Sequence, residues 1–337
     1  MFDLMKKLTL SDGISGREYA VRDVIIKEIE GICEHSTDAL GNLICFKKGS
    51  RESEKTVMLC SHMDEVGFVV NFITEDGFLK FTPVGGIDTR VMISKRVFAG
   101  SERVPGVIGA KATHQLKQDE KETIPEVGSL YIDIGAGDRD GALKYVKLFD
   151  QITFDSDYRE FGDGLIKAKA LDDRAGNALM IEIMKSELPY DTYFVFTAQE
   201  EVGLRGAKTA AYGVEPDIAV IVEATTAADI PGVAEDKRVC ELGGGPVISF
   251  MDGGTIYDKE LYELAFSVAK EHNIPCQVKS LVAGGNDAGA VHVSKTGVRT
   301  LAVSLPCRYL HSPSCVISKE DVNNTFKLLT AIIPECR

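Results

Sequence analysis

The chain has 337 residues, a formal net charge of −13, 44% hydrophobic and 26% charged residues. This is the balance of a globular protein longer than one average domain, with no basic stripe to displace counterions from a nucleic acid. No run is long and apolar enough to cross a bilayer, and the opening MFDLMKKLTLSDG lacks the apolar centre of an export signal, so a soluble cytoplasmic protein is expected.

The first predicted helix lies in SGREYAVRDVIIKEIEG, residues 15–31, with Val21, Val24, Ile25 and Ile29 on one face, Gly31 as its stop, and Ser15 with Glu18 as a capping box. Strands follow in DALGNLICFKKG (38–49) and TVMLCSHMD (56–64). From about residue 67 to 164 the texture changes to short β-like runs broken by glycine, with no long helix. Then helices and strands alternate: helix DRAGNALMIEIMKSEL, strands TYFVFTA and IAVIVEA, helix KELYELAFSVAKEHN, strand RTLAVSLP and a terminal helix in KEDVNNTFKLLTAII. Apolar strands alternating with amphipathic helices predict a mostly parallel sheet covered on both faces. The expected organisation is an α/β domain in two pieces, 1–66 and 165–337, interrupted by a β-rich insertion, 67–164. The eight cysteines are scattered, with no CxxC pair, and read as small buried hydrophobes, Cys60 among them.

Parallel sheets place their chemistry at the carboxyl ends of their strands. Acids and histidines recur there: His62 and Asp64 after TVMLCS, Glu200 and Glu201 after TYFVFTAQ, Glu223 after IAVIV, and His311 after LAVSLPCRYL. Asp172 and Asp173 stand just before a helix. Each has an ordinary reading alone: a hydrogen-bonded histidine, a solvated helix start, a helix cap. Together they form an oxygen-rich set suited to two divalent ions, in which one carboxylate could bridge. A closed structural zinc site would instead be thiolate-rich, and these segments offer no cysteine pair.

The motifs HMDEVG, ALDDRAG, AQEEVGLRGA, DIPG and RYLHSP, in this order, resemble the tetrahedral aminopeptidases, dimetal peptidases that assemble as dodecamers. The resemblance covers essentially the whole chain. It implies a mixed, mostly parallel sheet flanked by helices, with the insertion forming a small β-barrel used in subunit contacts. It implies one metal on His62, Asp172 and Glu223 and another on Asp172, Glu201 and His311, with Asp172 as the bridge. Asp64 would orient the His62 imidazole, and Glu200 would be the general base. Zinc or cobalt is expected, with manganese the alternative, and the implied substrates are short peptides cleaved at a free N-terminus. Glu223 stands where the family more often has aspartate, which lengthens the reach and bears on metal choice. The wider dimetal group implies a cis bond between Asp172 and Asp173. Acidic, aliphatic and basic side-chain preferences all occur on this framework.

The other histidines have simpler readings. His35 is expected at the surface, His114 in a polar loop and His272 near a helix end, while Asp287 and His292 in GGNDAGAVHV either line the cleft or, equally well, form a turn followed by a structural histidine. Two rival functions remain at this level: glycoside hydrolysis by paired carboxylates, and a non-catalytic metal-binding assembly protein.

Overall fold

The computed structural model describes residues 1–52 and 54–336. Its strands, in chain order, are β1 (Glu34–Thr37), β2 (Leu43–Lys47), β3 (Val57–His62), β4 (Gly67–Ile73), β5 (Leu79–Val84), β6 (Arg96–Ala99), β7 (Val104–Gly109), β8 (Tyr131–Asp133) and β9 (Gln151–Phe154). They continue with β10 (Arg159–Phe161), β11 (Leu165–Ala168), β12 (Thr192–Thr197), β13 (Ile218–Thr226), β14 (Val247–Ile248), β15 (Gln277–Val278), β16 (Arg299–Cys307) and β17 (Cys315–Ser318). The main helices are α1 (Phe2–Leu10), α2 (Tyr19–Glu28), α3 (Leu171–Met184), α4 (Arg205–Val214), α5 (Lys259–Glu271) and α6 (Lys319–Ile332). None is long and apolar enough to cross a membrane.

An eight-stranded mixed sheet runs β1-β2-β12-β3-β13-β16-β14-β15. Its centre is parallel, with β3 between β12 and β13 and β13 beside β16. All six residues of β3 are buried because helices cover both faces. On one face α1, α2, α3, α5 and α6 pack the largest apolar cluster; on the other, Ala207, Ala210 and Ala211 of α4 meet Met58, Cys60 and Ile221. Helix α3 is buried along nearly its whole length, so it carries few polar residues after its first turn.

The insertion forms a closed barrel in the order β4-β5-β8-β7-β6-β9, which leaves no sheet edge unpaired. Phe68 lies at its centre, 5.0 Å from Phe81 and 5.3 Å from Phe154 between ring centres. After Phe154 the chain returns to the α/β body: β10 pairs with β11, and β11 with β17.

One local expectation fails. Helix α2 starts at Tyr19, and Ser15 and Glu18 form no capping box. Ser15 Oγ donates to Asp64 at 2.6 Å, and Glu18 accepts from the amides of Gly16 (2.6 Å) and Gln199 (3.0 Å). A buried carboxylate such as Asp64 needs donors more than an exposed helix end does, and it draws the serine inward.

Candidate active site

The parallel register brings the expected residues to one edge. His62 closes β3 opposite Thr197 of β12, Glu200 and Glu201 follow β12 by three and four residues, and Glu223 lies in register with Ser304 of β16. Asp172 enters from the start of α3, where Asp172 and Asp173 depart from helical angles and the bond between them is cis, as expected. His311 comes from the turn between β16 and β17. They face a cavity of about 680 Å³ that His62, Asp172, Glu200, Glu201, Glu223 and His311 all line.

Asp172 lies between the two imidazoles. Its Oδ1 is 3.2 Å from His62 Nε2 and its Oδ2 is 3.6 Å from His311 Nε2. Glu223 Oε1 stands 3.4 Å from His62 Nε2, and Glu201 Oε2 stands 3.3 Å from His311 Nε2. Glu223 also folds back, its Oε1 accepting from the Ala224 amide at 3.0 Å, which takes up the extra methylene. The electrostatics are those of crowded acids. Burial, reinforced by Asp173 and Asp172, raises the Glu223 carboxyl well above its ordinary range, and burial with Asp172 pushes Glu201 up to about 8. Burial also opposes the charge of His311, yet Asp172 and Glu201 lift it to about 9. Asp172 itself is held low in spite of burial, because both histidines stabilise its charge.

Behind this cluster sits a layer of fixed hydrogen bonds. Asp64, fully buried, accepts from the amides of Glu200 (3.0 Å) and Glu201 (3.1 Å) as well as from Ser15. With Glu18 on the Gln199 amide, two carboxylates hold three successive amides and fix where Glu200 and Glu201 point. The Asp64 carboxylate is 3.4 Å from His62 Nδ1, but its own backbone oxygen is closer, at 3.1 Å. Thus Asp64 orients the glutamates more firmly than it orients the imidazole. The Glu200 carboxylate accepts no hydrogen bond from a described residue. Burial, with Asp287 and Glu201 nearby, raises its pKa well above the usual carboxylate range despite His62.

Several contributors have no sequence signature. Asn177 Nδ2 donates to the backbone oxygen of His62 at 2.6 Å and to that of Asp173 at 2.9 Å, fastening β3 to α3. Gly86, after β5, lines the cavity, and its carbonyl accepts from His311, so the barrel's connection from β5 to β6 touches the site. Gly85 must be glycine: its φ is +84°, and a Cβ would meet Val66 at 2.7 Å. Glu65 answers to a different task, its two oxygens held by buried Lys169 at 2.6 and 2.7 Å.

Asp287 and His292 do not line the cavity. The short helical turn Ala288–Val291 aims Asp287 into the core, where Thr197 Oγ1 (2.5 Å) and Cys60 Sγ (3.6 Å) donate to it, and its neighbour Asn286 lines the cavity instead. Cys60 is therefore a donor as well as a buried hydrophobe. His292 Nδ1 turns back to Ala288 O at 2.7 Å, beside a separate depression formed with Asp258 and Arg299.

Two imidazoles and three carboxylates linked by four contacts of 3.2 to 3.6 Å, with no lysine or arginine paired to them among the described residues, are a hard donor set short of positive charge. That set fits divalent cations. An α/β sheet with such a cluster at its carboxyl edge, joined to a closed β-barrel, defines a metallopeptidase. The profile of the M42 glutamyl aminopeptidase family matches residues 41–328, and the chain belongs to that family. It is a metal-dependent aminopeptidase, a hydrolase of peptide bonds. A relative described as a putative aminopeptidase, from Acetivibrio thermocellus, is 43% identical over 99% of this chain and 98% of its own. The solved TET aminopeptidase of a marine sediment Thaumarchaeota archaeon superposes with a TM-score of 0.95 at 33% identity, covering 99% and 96% of the two chains. The TET1 peptidase of Pyrococcus horikoshii, described as assembling into a tetrahedron or a large octahedral shell, gives 0.87 at 34%, covering 98% of each.

Proposed function

We propose that the site is dinuclear, with one ion on His62, Asp172 and Glu223, the other on Asp172, Glu201 and His311, and Asp172 bridging them. The observation that carries this reading is the position of Asp172 between two histidines that approach opposite oxygens of its carboxylate. Zinc or cobalt suits the mixed nitrogen and oxygen donors, and manganese is the alternative. When bound, such ions polarise a peptide carbonyl and make water a stronger acid.

The chain's own residues supply the proton chemistry. Glu200, unengaged by any hydrogen bond from a described residue and held in place through its amide, takes a proton from water at the cavity floor and passes it to the departing amine. Asp64 acts by keeping Glu200 and Glu201 in register. Neighbouring Thr225, Ser304 and Gly285 leave an uncharged wall on which a peptide end can lie.

The expected substrates are short peptides, and the expected setting is the cytoplasm, where the eight cysteines remain thiols. We also propose a homododecamer, with the barrel making subunit contacts. Support comes from the apolar residues it exposes, Phe72, Leu143, Tyr145, Leu148 and Phe149, and from the assembly described for the Pyrococcus relative.

The test is Glu200→Gln measured beside Asp172→Asn. Glu200→Gln should lower turnover by about 10²- to 10⁴-fold with the metal content unchanged. Asp172→Asn should lose metal and activity together. Near-normal turnover by a metal-replete Glu200→Gln enzyme would remove the base assignment. Peptide hydrolysis that survives complete chelation would remove the metal reading altogether.

A further inference from the structure

His311 stands at the middle of CRYLHSPSC, residues 307–315, four residues from a cysteine on either side. Both cysteines are buried, Cys307 closing β16 and Cys315 opening β17. Arg308 and Val316 exchange backbone hydrogen bonds of 2.9 and 3.0 Å, which joins the two chains antiparallel at the base of the turn. In that register Cys307 opposes Ile317 and Cys315 opposes Tyr309, so the cysteines lie diagonally on one face, and their thiols interact.

The same thiols hold the turn. Cys315 Sγ lies within donating distance of Tyr309 O (3.5 Å) and Ser312 O (3.4 Å), on either side of His311, and Cys307 Sγ donates to Arg308 O at 3.5 Å. Tyr309 and His311 have φ of +59° and +56°, which residues other than glycine adopt only where their surroundings hold them there. The place of the His311 imidazole, 3.3 Å from Glu201 and 3.6 Å from Asp172, thus depends on bonds that a free Cys315 thiol makes.

The thiol is buried but not sealed. Cys315, Ser312 and His311 line a hollow of about 10 Å³ that Asp172 and Glu201 also border, room for one water-sized molecule beside the main cavity. Hydrogen peroxide is close to water in size and meets the sulfur there. A disulfide needs about 4.4 to 6.8 Å between its Cα atoms, whereas diagonal positions across an antiparallel pair stand about 7 to 8 Å apart. Bridging therefore draws the chains together under the turn and removes the S–H that held Tyr309 and Ser312.

We propose that Cys307 and Cys315 form a reversible disulfide that displaces His311 and turns peptide hydrolysis off under peroxide. The proposal rests on the reading of His311 as a metal ligand and adds a control that the cluster itself does not supply. Cys315 sulfur attacks a peroxide oxygen, the O–O bond breaks, and the thiol proton leaves with the hydroxide as water, so that a sulfenic acid remains. Cys307 sulfur then attacks that sulfur; the S–S bond forms, the S–O bond breaks and a second water departs. Each sulfur gives up one electron and the peroxide takes both. A thiol reductant reverses the bond by exchange, and in a compartment that keeps thiols reduced such a bond is transient.

Zinc-loaded enzyme, whose metal takes no part in redox chemistry, is treated with hydrogen peroxide, and turnover, bound zinc and a peptide mass map are read before and after dithiothreitol. Oxidised wild type should lose turnover by about tenfold or more, release zinc with it, carry a Cys307–Cys315 cross-link, and recover with the reductant. Cys307→Ser, which keeps a donor in place, and Cys307→Ala should both hold their turnover through the treatment. Cys33→Ser, at the other thiol pair, Cys33 with Cys45 on the β1 edge of the sheet, should respond as wild type does. A reversible loss in Cys307→Ser equal to that of wild type overturns the proposal. So does a wild type that forms no such cross-link, or one whose cross-link leaves turnover and zinc as they were before oxidation. The ligand reading fails separately, since His311→Ala would then keep its full zinc.

Discussion

Asp64 faces none of the open cavity, yet both of its oxygens are occupied by groups that set the geometry there. Asn at this position keeps the shape but offers one oxygen, so the amide of Glu200 or of Glu201 loses its partner. Changing a residue that supports others in this way commonly costs about 10- to 100-fold in activity or metal affinity. Asp64→Asn should show that loss in kcat, with KM little changed and Ser15→Ala as a milder version; steady-state kinetics showing an unaltered kcat would refute it. At this scale the sequence was informative where a residue's type and its place at a strand end coincide, as for His62, Asp172, Glu201, Glu223 and His311. Ser15, Glu18 and Asn177 were illegible because their roles depend on partners 49, 181 and 115 residues away, and a serine before a helix looks like a cap.

Between elements, the chain leaving β3 is tied to the segment joining β11 and α3 by buried charges. Lys169 clasps Glu65, while Arg174 donates to the backbone oxygens of Met63 and Leu8, both at 2.7 Å. Burial lowers the Lys169 pKa to about 8 despite the attraction of Glu65. The unfolded value is about 10.4, so between about pH 8 and pH 10.4 the unfolded chain holds more protons and stability rises with pH; below that window Lys169 is charged in both states and contributes no slope. Glu65→Gln leaves the ammonium buried without its anion, a loss of about 3 to 5 kcal/mol at neutral pH. Urea unfolding should show this deficit at pH 7 and a smaller one at pH 9, where the lysine is neutral; an equal deficit at both would mean that the ion pair is not its source. Apart from α1 and α4, which were not read as helices, most of the helices and strands of the α/β body were readable from periodicity, because both faces of the sheet are covered. The closing of the barrel was not, since register among short glycine-broken strands is decided by pairing at long range.

For the whole molecule, the proposed ions would offset the crowding of Asp172, Glu201 and Glu223, so that removing them would turn the site's repulsion against the fold. Chelation should abolish hydrolysis, lower the melting temperature, and be reversed by zinc, cobalt or manganese; ions held at a thousand times their dissociation constant contribute about 4 kcal/mol. Light scattering of metal-replete protein should give a mass many times the 36.6 kDa of one chain, and a strict monomer under those conditions would reject the assembly. The five residues that meet at the sheet edge stand at positions 62, 172, 201, 223 and 311, so the edge gathers segments from far apart along the chain and its second histidine is the last to be made. During translation, therefore, the emerging polypeptide lacks a complete donor set until His311 has been made. Contacts of such long sequence separation also form slowly. The donor set is thus a product of the whole α/β body rather than of any one of its segments, and no stretch of chain made before His311 can hold it complete.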